Sequence, residues 1–132
     1  MDKLIEINNY KEVLEHIGKY KTIVVIGFPN SGKTRTFKNV KSIEYVTFVY
    51  QGEGINITDV NKYQIPSGMN IIIDEIHSNV QEEKTKEIQK NNKVIIIHNR
   101  IFSDDAKRSV DAFKKVYHLL DFEDAIFFVK TC

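Results

Sequence analysis

One short segment of this 132-residue chain has the residue types and spacing of a loop that binds phosphate groups. Residues 27–34 read G-F-P-N-S-G-K-T, which is the full pattern G-x-x-x-x-G-K-[ST]. Glycines let the backbone turn tightly so that its N–H groups face an anion, and the following helix points its positive dipole end at the same place. The predicted loop comprises Gly27, Phe28, Pro29, Asn30, Ser31, Gly32, Lys33 and Thr34, with Arg35 beside it.

Two residues of this segment carry most of the predicted chemistry. Lys33 adds a full positive charge near the β- and γ-phosphates of a nucleotide, and the hydroxyl of Thr34 is a ligand for Mg²⁺. The pattern also has the context it requires, since an apolar segment precedes it and helix-forming residues follow. The segment therefore predicts a site for a nucleoside triphosphate.

A pair of acidic residues ends a second apolar segment, in which residues 69–75 read M-N-I-I-I-D-E. In open α/β sheets, ligands bind at the carboxyl ends of the strands, where Gly27 is also expected. We therefore expect Asp74 to hold Mg²⁺, directly or through water, and Glu75 to polarise an attacking water. The alternative is a polar strand end that only caps the next helix.

The elements that must position these residues alternate along the chain. Five apolar, β-branched segments predict strands, and three of them are so continuously apolar that both faces of the sheet should be buried, as in a parallel α/β sheet. Helices are expected between them, which gives right-handed crossover connections. The predicted strands span residues 22–27, 43–50, 70–74, 93–99 and 125–130.

Four segments predict helices. Asn9 and Glu12 form a capping box near the start, and a short helix should follow Gly32. Residues 78–92 are almost wholly polar and predict an exposed helix with Glu82 and Lys86 paired. Residues 103–120 predict the clearest helix, with Ser103 as N-cap and Asp104 and Asp105 in the first turn, whereas residues 51–68 predict irregular structure.

Length and composition indicate one domain over residues 1–132, in a reducing compartment. The chain has 19 basic and 18 acidic residues, so no overall basic field predicts a nucleic acid or membrane partner. Its single cysteine, Cys132, cannot form an intramolecular disulfide, and its apolar runs are too short to span a bilayer. We expect a cytoplasmic protein, or one of the host cytoplasm if the Lys-, Ile- and Asn-rich chain is viral.

The loop and the acidic pair together resemble P-loop NTPases that have an additional catalytic glutamate, the class of AAA+ proteins, RecA-like motors and viral superfamily 3 helicases. The resemblance implies a three-layer α/β fold, with a mostly parallel five-stranded sheet in the order 5-1-4-3-2 and helices on both faces. It implies ATP and Mg²⁺ as ligands, with Lys33 and Glu75 catalytic. Asn99, at the end of the fourth apolar segment, corresponds to the residue that senses the γ-phosphate; His98 is the alternative.

The resemblance also implies partners. Arg100 and Arg108 are candidates to act as an arginine finger on a neighbouring subunit's nucleotide, although either could be an ordinary surface arginine. We therefore expect a homo-oligomer, or a docking protein that supplies an arginine in trans. DNA or RNA handling, as in replication, packaging or remodelling, follows only by analogy.

Two other functions stay open on the sequence. A nucleoside or nucleotide kinase would share the loop, although three arginines supply an acceptor site and lid poorly. A nucleotide-binding switch or assembly module without turnover is the other. A GTPase is disfavoured, because no N-K-x-D segment occurs.

Overall fold

The computed structural model describes residues 3–38, 40–48, 60–99 and 105–131. Strands and helices alternate along them, with one 3₁₀ helix near the start. In chain order the elements are β1 (Lys3–Glu6), the 3₁₀ helix (Tyr10–His16), β2 (Thr22–Ile26), α1 (Lys33–Lys38), β3 (Glu44–Val46), β4 (Asn70–Asp74), α2 (Asn79–Gln89), β5 (Lys93–His98), α3 (Ala106–Val116) and β6 (Ala125–Val129).

The described strands form one sheet in the order β1-β6-β2-β5-β4-β3, and neighbouring strands are parallel. This confirms an α/β fold with a mostly parallel sheet. The expected count of five strands is wrong, and the full strand order differs from 5-1-4-3-2 because β1 adds a sixth strand outside β6; the five expected strands keep their predicted order relative to one another. The prediction missed β1 because its four residues, K-L-I-E, are mostly exposed and lack the continuous apolar run of a buried strand.

Helices pack on both faces of the sheet and bury two separate apolar clusters. One cluster joins α2 and α3 to alternate residues of the strands, and it includes Ile88, Phe113 and Ile73. The other joins the 3₁₀ helix and α1 to the opposite face, where Val13 and Phe37 are completely buried. Successive residues of β2 point to opposite faces, so all five are buried.

The predicted capping box near the start of the chain is confirmed, and it caps the 3₁₀ helix. The Asn9 side chain accepts from the helix backbone, and Glu12 Oε2 accepts from the Asn9 N–H at 2.8 Å, which completes the capping box. The short helix after Gly32 is α1. Residues 60–68 form no strand or helix, and the rest of the segment expected to be irregular, residues 51–59, lies outside the described residues.

The predicted exposure of α2 holds for one side of the helix only. The helix begins after the N-cap Ser78 and buries Gln81, Glu82 and Thr85. Glu82 is buried because its Oε2 accepts the backbone N–H of Leu119 at 2.8 Å, so its carboxylate anchors the chain after α3. These three polar residues are therefore buried, whereas other polar residues of the helix, such as Lys86 and Glu87, are exposed.

The predicted start and end of α3 also differ. Asp105 is the N-cap and accepts from the Arg108 N–H at 3.1 Å, so it is not in the first turn. The helix ends at Val116 instead of residue 120, and Tyr117 is its C-cap. Ser103 and Asp104 lie outside the described residues.

No helix within the described ranges is long and apolar enough to cross a bilayer.

Candidate functional site

The carboxyl ends of three neighbouring strands bring the predicted site residues together. Strands β2, β5 and β4 are adjacent, with Ile26 opposite His98 and Ile97 opposite Asp74. Two backbone hydrogen bonds extend the pairing past the strand ends: the Gly27 N–H donates to His98 at 3.2 Å, and the Glu75 N–H donates to Ile97 at 3.0 Å. Residues far apart in the chain therefore meet at one edge of the sheet.

The loop of residues 27–32 turns through two left-handed positions. Asn30 has φ of 60° and Gly32 has φ of 101°, and the latter angle strongly favours glycine. The carbonyl of Gly32 then accepts both the N–H and the hydroxyl of Thr36, at 3.0 and 2.8 Å, where α1 begins. The loop thus turns tightly and leads directly into a helix, as its sequence predicts.

Tyr10 braces this loop, a role that the sequence did not predict. Its hydroxyl lies 2.6 Å from the Ser31 hydroxyl, which in turn donates to the Phe28 carbonyl at 2.5 Å. A Cβ atom on Gly27 would lie 1.9 Å from the same tyrosine oxygen, so any larger residue there would have to displace the Tyr10 side chain. Burial raises the pKa of Tyr10, although its bond to Ser31 acts in the opposite direction.

Lys33 is almost completely buried, with 3% of its surface exposed. Its Nζ donates to the carbonyls of Gly27 at 3.1 Å and Phe28 at 2.6 Å. Burial lowers the pKa of Lys33 to about 8, because the carboxylates of Glu75 and Asp74 compensate only in part for the lost water. The ammonium group is therefore held against the start of the loop, at the cost of a weakened hold on its proton.

Thr34 and Asp74 place two oxygen atoms side by side. Thr34 Oγ1 donates to Asp74 Oδ2 at 3.1 Å, although 40 positions separate these residues. The Tyr45 hydroxyl donates to the same carboxylate oxygen. Burial, and then the bond to Asp74, raise the pKa of Tyr45, so this hydroxyl stays protonated. The sequence did not predict this contact of Tyr45.

These oxygens fit a magnesium ion that also binds phosphate. Mg²⁺ prefers oxygen ligands and is commonly held by one or two carboxylates together with substrate phosphates. Within the described ranges, no group of three or more His, Cys, Asp or Glu side chains could hold a metal alone. The Thr34 and Asp74 pair would therefore need phosphate oxygens to complete the coordination.

Glu75 lies at the centre of a small polar group. Its backbone has φ of 65°, and its Oε1 accepts the Asn99 N–H at 3.0 Å and lies 3.5 Å from His98 Nδ1. Burial alone would raise the pKa of Glu75. The hydrogen bond and charge of His98, the Asn99 N–H and the charge of His77 outweigh burial and hold that pKa below its usual value.

His98 and Asn99 face different surroundings. The His98 ring is buried against Phe113 and Tyr117, at centroid distances of 5.0 and 5.6 Å. Asn99 lines a cavity of about 390 Å³ together with residues of the predicted loop. The loop residues at this cavity are Pro29, Asn30, Gly32, Lys33, Thr34 and Arg35.

Two of the three arginines, Arg35 and Arg108, lie within the described residues. Arg35 is exposed on α1 and borders this cavity, as its place beside the loop predicts. Arg108 is exposed in the first turn of α3 and does not line the cavity. Arg100 lies outside the described residues.

No family model, curated protein or solved structure matches this chain.

Proposed function

We propose that this chain is a Mg²⁺-dependent nucleoside triphosphatase of the P-loop type, with ATP as its substrate. The observation that carries the proposal is the 3.1 Å contact between Thr34 and Asp74. It joins the end of the phosphate-binding loop to the acidic pair on a different strand. A strand-to-helix turn without a ligand would not need a buried lysine beside this pair of oxygens.

The loop and Lys33 bind the phosphates in this proposal. At neutral pH, a pKa of about 8 leaves Lys33 mostly protonated, and the negative phosphates favour that charged form. Thr34 and Asp74 hold Mg²⁺, which when bound neutralises charge on the phosphates. Asn99, at the wall of the same cavity, is the side chain we assign to the γ-phosphate.

Glu75 is the general base. Because Oε1 already accepts the Asn99 N–H and contacts His98, we assign proton acceptance to Oε2. The water oxygen bonds to the γ-phosphorus, the bond from that phosphorus to the ADP oxygen breaks, and the water's proton passes to Glu75. The lowered pKa of Glu75 keeps it ionised at neutral pH, which the role requires.

Assembly is part of the proposal. One domain offers the nucleotide a site at the edge of a single sheet, so we infer that a second copy, or a docking protein, supplies an arginine for efficient turnover. Arg108 is the candidate within the described residues. Coupling of hydrolysis to DNA or RNA is the expected use of this activity.

Hydrolysis and binding, measured together, test this function. We expect Glu75→Gln to bind ATP–Mg²⁺ as the unmodified protein does but to lose about 100-fold or more of its turnover, because only the base is removed. Lys33→Ala should lose binding itself. Glu87→Gln, an exposed glutamate on α2, is the matched control and should change neither.

Two results would contradict the proposal. One is a protein that binds no ATP–Mg²⁺. The other is Glu75→Gln turnover equal to that of the Glu87→Gln control, since both changes remove one carboxylate charge and only one removes the proposed base.

A further inference from the structure

A mostly apolar cleft of about 530 Å³ lies between the phosphate-binding loop and α3. Phe28 and Pro29 of the loop line it, and Ala112 and Val116 of the helix line it as well. Its size lies in the range of small-molecule sites, which are typically apolar with a few polar groups. The roles proposed above use only its edge on the loop side, at Phe28, Pro29 and Asn99, and none of them uses its wall on α3.

Part of its lining is a fixed group of aromatic rings. Phe113 is buried and lies 4.9 Å from Tyr117 between ring centroids, and both rings pack against His98. The Tyr117 hydroxyl donates to the carbonyl of Ile76 at 2.7 Å, which holds this ring in place. The cleft is therefore formed by side chains that already have their packing partners.

The other part of its lining is exposed apolar surface. Phe28 is 41% exposed and Val116 is 58% exposed, and both are large hydrophobic side chains that line the cleft. A flat ring inserted here would remove apolar surface of both from water. Removing such surface from water is favourable roughly in proportion to its area.

The cleft adjoins the proposed phosphate site. Pro29 and Asn99 line both this cleft and the cavity that contains Lys33. Asn99, Ser109 and Lys115 add polar groups to a lining that is otherwise apolar. A ring that has an apolar face, a polar edge and a link to phosphate fits this combination.

We propose that the cleft binds a nucleobase, stacked against its aromatic and apolar walls beside the phosphate-binding loop. The inference rests on the proposed function for the position of the phosphates. The ring is either the base of the bound triphosphate or that of a separate nucleoside. Two other tyrosines near the sheet edge have different partners, because the hydroxyls of Tyr45 and Tyr63 donate to the carboxylates of Asp74 and Glu44.

Ligands with and without a nucleobase distinguish the proposed nucleobase cleft from the proposed triphosphate site. We would measure Mg²⁺-dependent binding of ATP and of inorganic tripolyphosphate by calorimetry. Stacking of a base on aromatic side chains predicts that ATP binds at least about fivefold more tightly than tripolyphosphate. Ala112→Trp, which fills the cleft, should remove this difference and leave tripolyphosphate binding within about twofold.

Two further variants test whether an effect of Ala112→Trp comes from the cleft or from a general disturbance of the fold. Val116→Ser removes an apolar wall at an exposed position, so the fold should tolerate it, and ATP affinity should fall by about twofold or more while tripolyphosphate binding is unchanged. Val80→Trp places the same bulky ring on α2 at a side chain that is 50% exposed and outside the cleft. That control should bind both ligands normally.

The source of the ring follows from adenosine binding, measured by saturation-transfer NMR. Adenosine that binds the tripolyphosphate-loaded protein, and is displaced by ATP, identifies the base of the triphosphate. Adenosine that still binds at saturating ATP identifies a separate nucleoside.

The outcomes distinguish the two proposals. Equal affinity for ATP and tripolyphosphate, unchanged by Ala112→Trp and Val116→Ser, would overturn the nucleobase cleft and leave the triphosphate site intact. Failure of both ligands to bind the unmodified protein would instead overturn the proposed function.

Discussion

Lys33 combines two properties that are usually separate, because it carries the main positive charge of the site and is also one of its most buried residues. Its partners in the structure are carbonyl oxygens of its own loop, which accept hydrogen bonds but carry no full charge. The charged form is therefore poorly stabilised without an anion. This imbalance makes the residue sensitive both to pH and to phosphate.

The pH dependence of phosphate binding should report this lysine. Its pKa of about 8 means that the protein loses the Lys33 charge as the pH rises through that value. Bound phosphates raise that pKa, so binding takes up a proton and affinity should be constant below about pH 8 and decline above it, by at most about tenfold per pH unit. Calorimetry with tripolyphosphate and Mg²⁺ between about pH 7 and 9.5 would measure this.

Lys33→Arg supplies the control, since a guanidinium group stays protonated throughout this range. Its affinity, even if lower, should not decline with pH. An unmodified protein whose affinity stays constant to about pH 9.5 would contradict the assignment.

For individual residues, the sequence predicted the contacts that depend on local spacing and missed those that depend on how separate elements pack. Lys33, Thr34, Asp74 and Glu75 belong to two short patterns whose spacing is fixed by local backbone geometry. Tyr10 and Tyr45 reach the same site from other elements, and their contacts depend on how those elements pack. Only the three-dimensional structure brings these tyrosine hydroxyls to Ser31 and Asp74.

At the scale of elements, the 3₁₀ helix restricts which residue can occupy the start of the loop of residues 27–32. Gly27→Ala would place a methyl group 1.9 Å from the Tyr10 hydroxyl oxygen and 3.0 Å from its Cζ. We expect the free energy of unfolding to fall by about 1–3 kcal/mol, because the buried ring must move, and phosphate affinity to fall with it. Chemical denaturation measures the first effect.

A double-mutant cycle isolates the cause. Tyr10→Phe removes the oxygen but leaves the ring carbon, so Gly27→Ala should cost clearly less in that background, by about 1 kcal/mol. Equal costs in the two backgrounds would show that the glycine is needed for another reason.

Some features of the helices and strands follow from local sequence, and others depend on tertiary contacts. The Asn9 and Glu12 capping box and the central strands follow local patterns, and both are present in the structure. The burial of Glu82 could not be predicted, because its partner is a backbone N–H at Leu119. Strand β1 was missed because pairing with β6, and not its own composition, makes it a strand.

The whole molecule determines whether residues 27–34, 74–75 and 98–99 can act as one site. Each segment lies at the carboxyl end of a different strand. Because β2, β5 and β4 are parallel neighbours, these three strand ends lie together. A ligand that contacts all three segments binds the folded sheet and not the unfolded chain. Ligand binding should therefore raise the stability of the entire domain.

Lys33→Met should separate stability from binding in a thermal unfolding experiment at pH 7. Because the pKa of Lys33 is lower in the folded state than its ordinary value of 10.5, the unfolded chain holds this proton more tightly, and the whole penalty applies below about pH 8. Removing the charge should therefore stabilise the ligand-free protein by about 1 kcal/mol. Tripolyphosphate and Mg²⁺ at 100 times the dissociation constant should stabilise the unmodified protein by about 2.7 kcal/mol, and Lys33→Met not at all. A variant that is less stable than the unmodified protein without ligand, or equally stabilised by tripolyphosphate, would contradict the role of a buried charge reserved for phosphate.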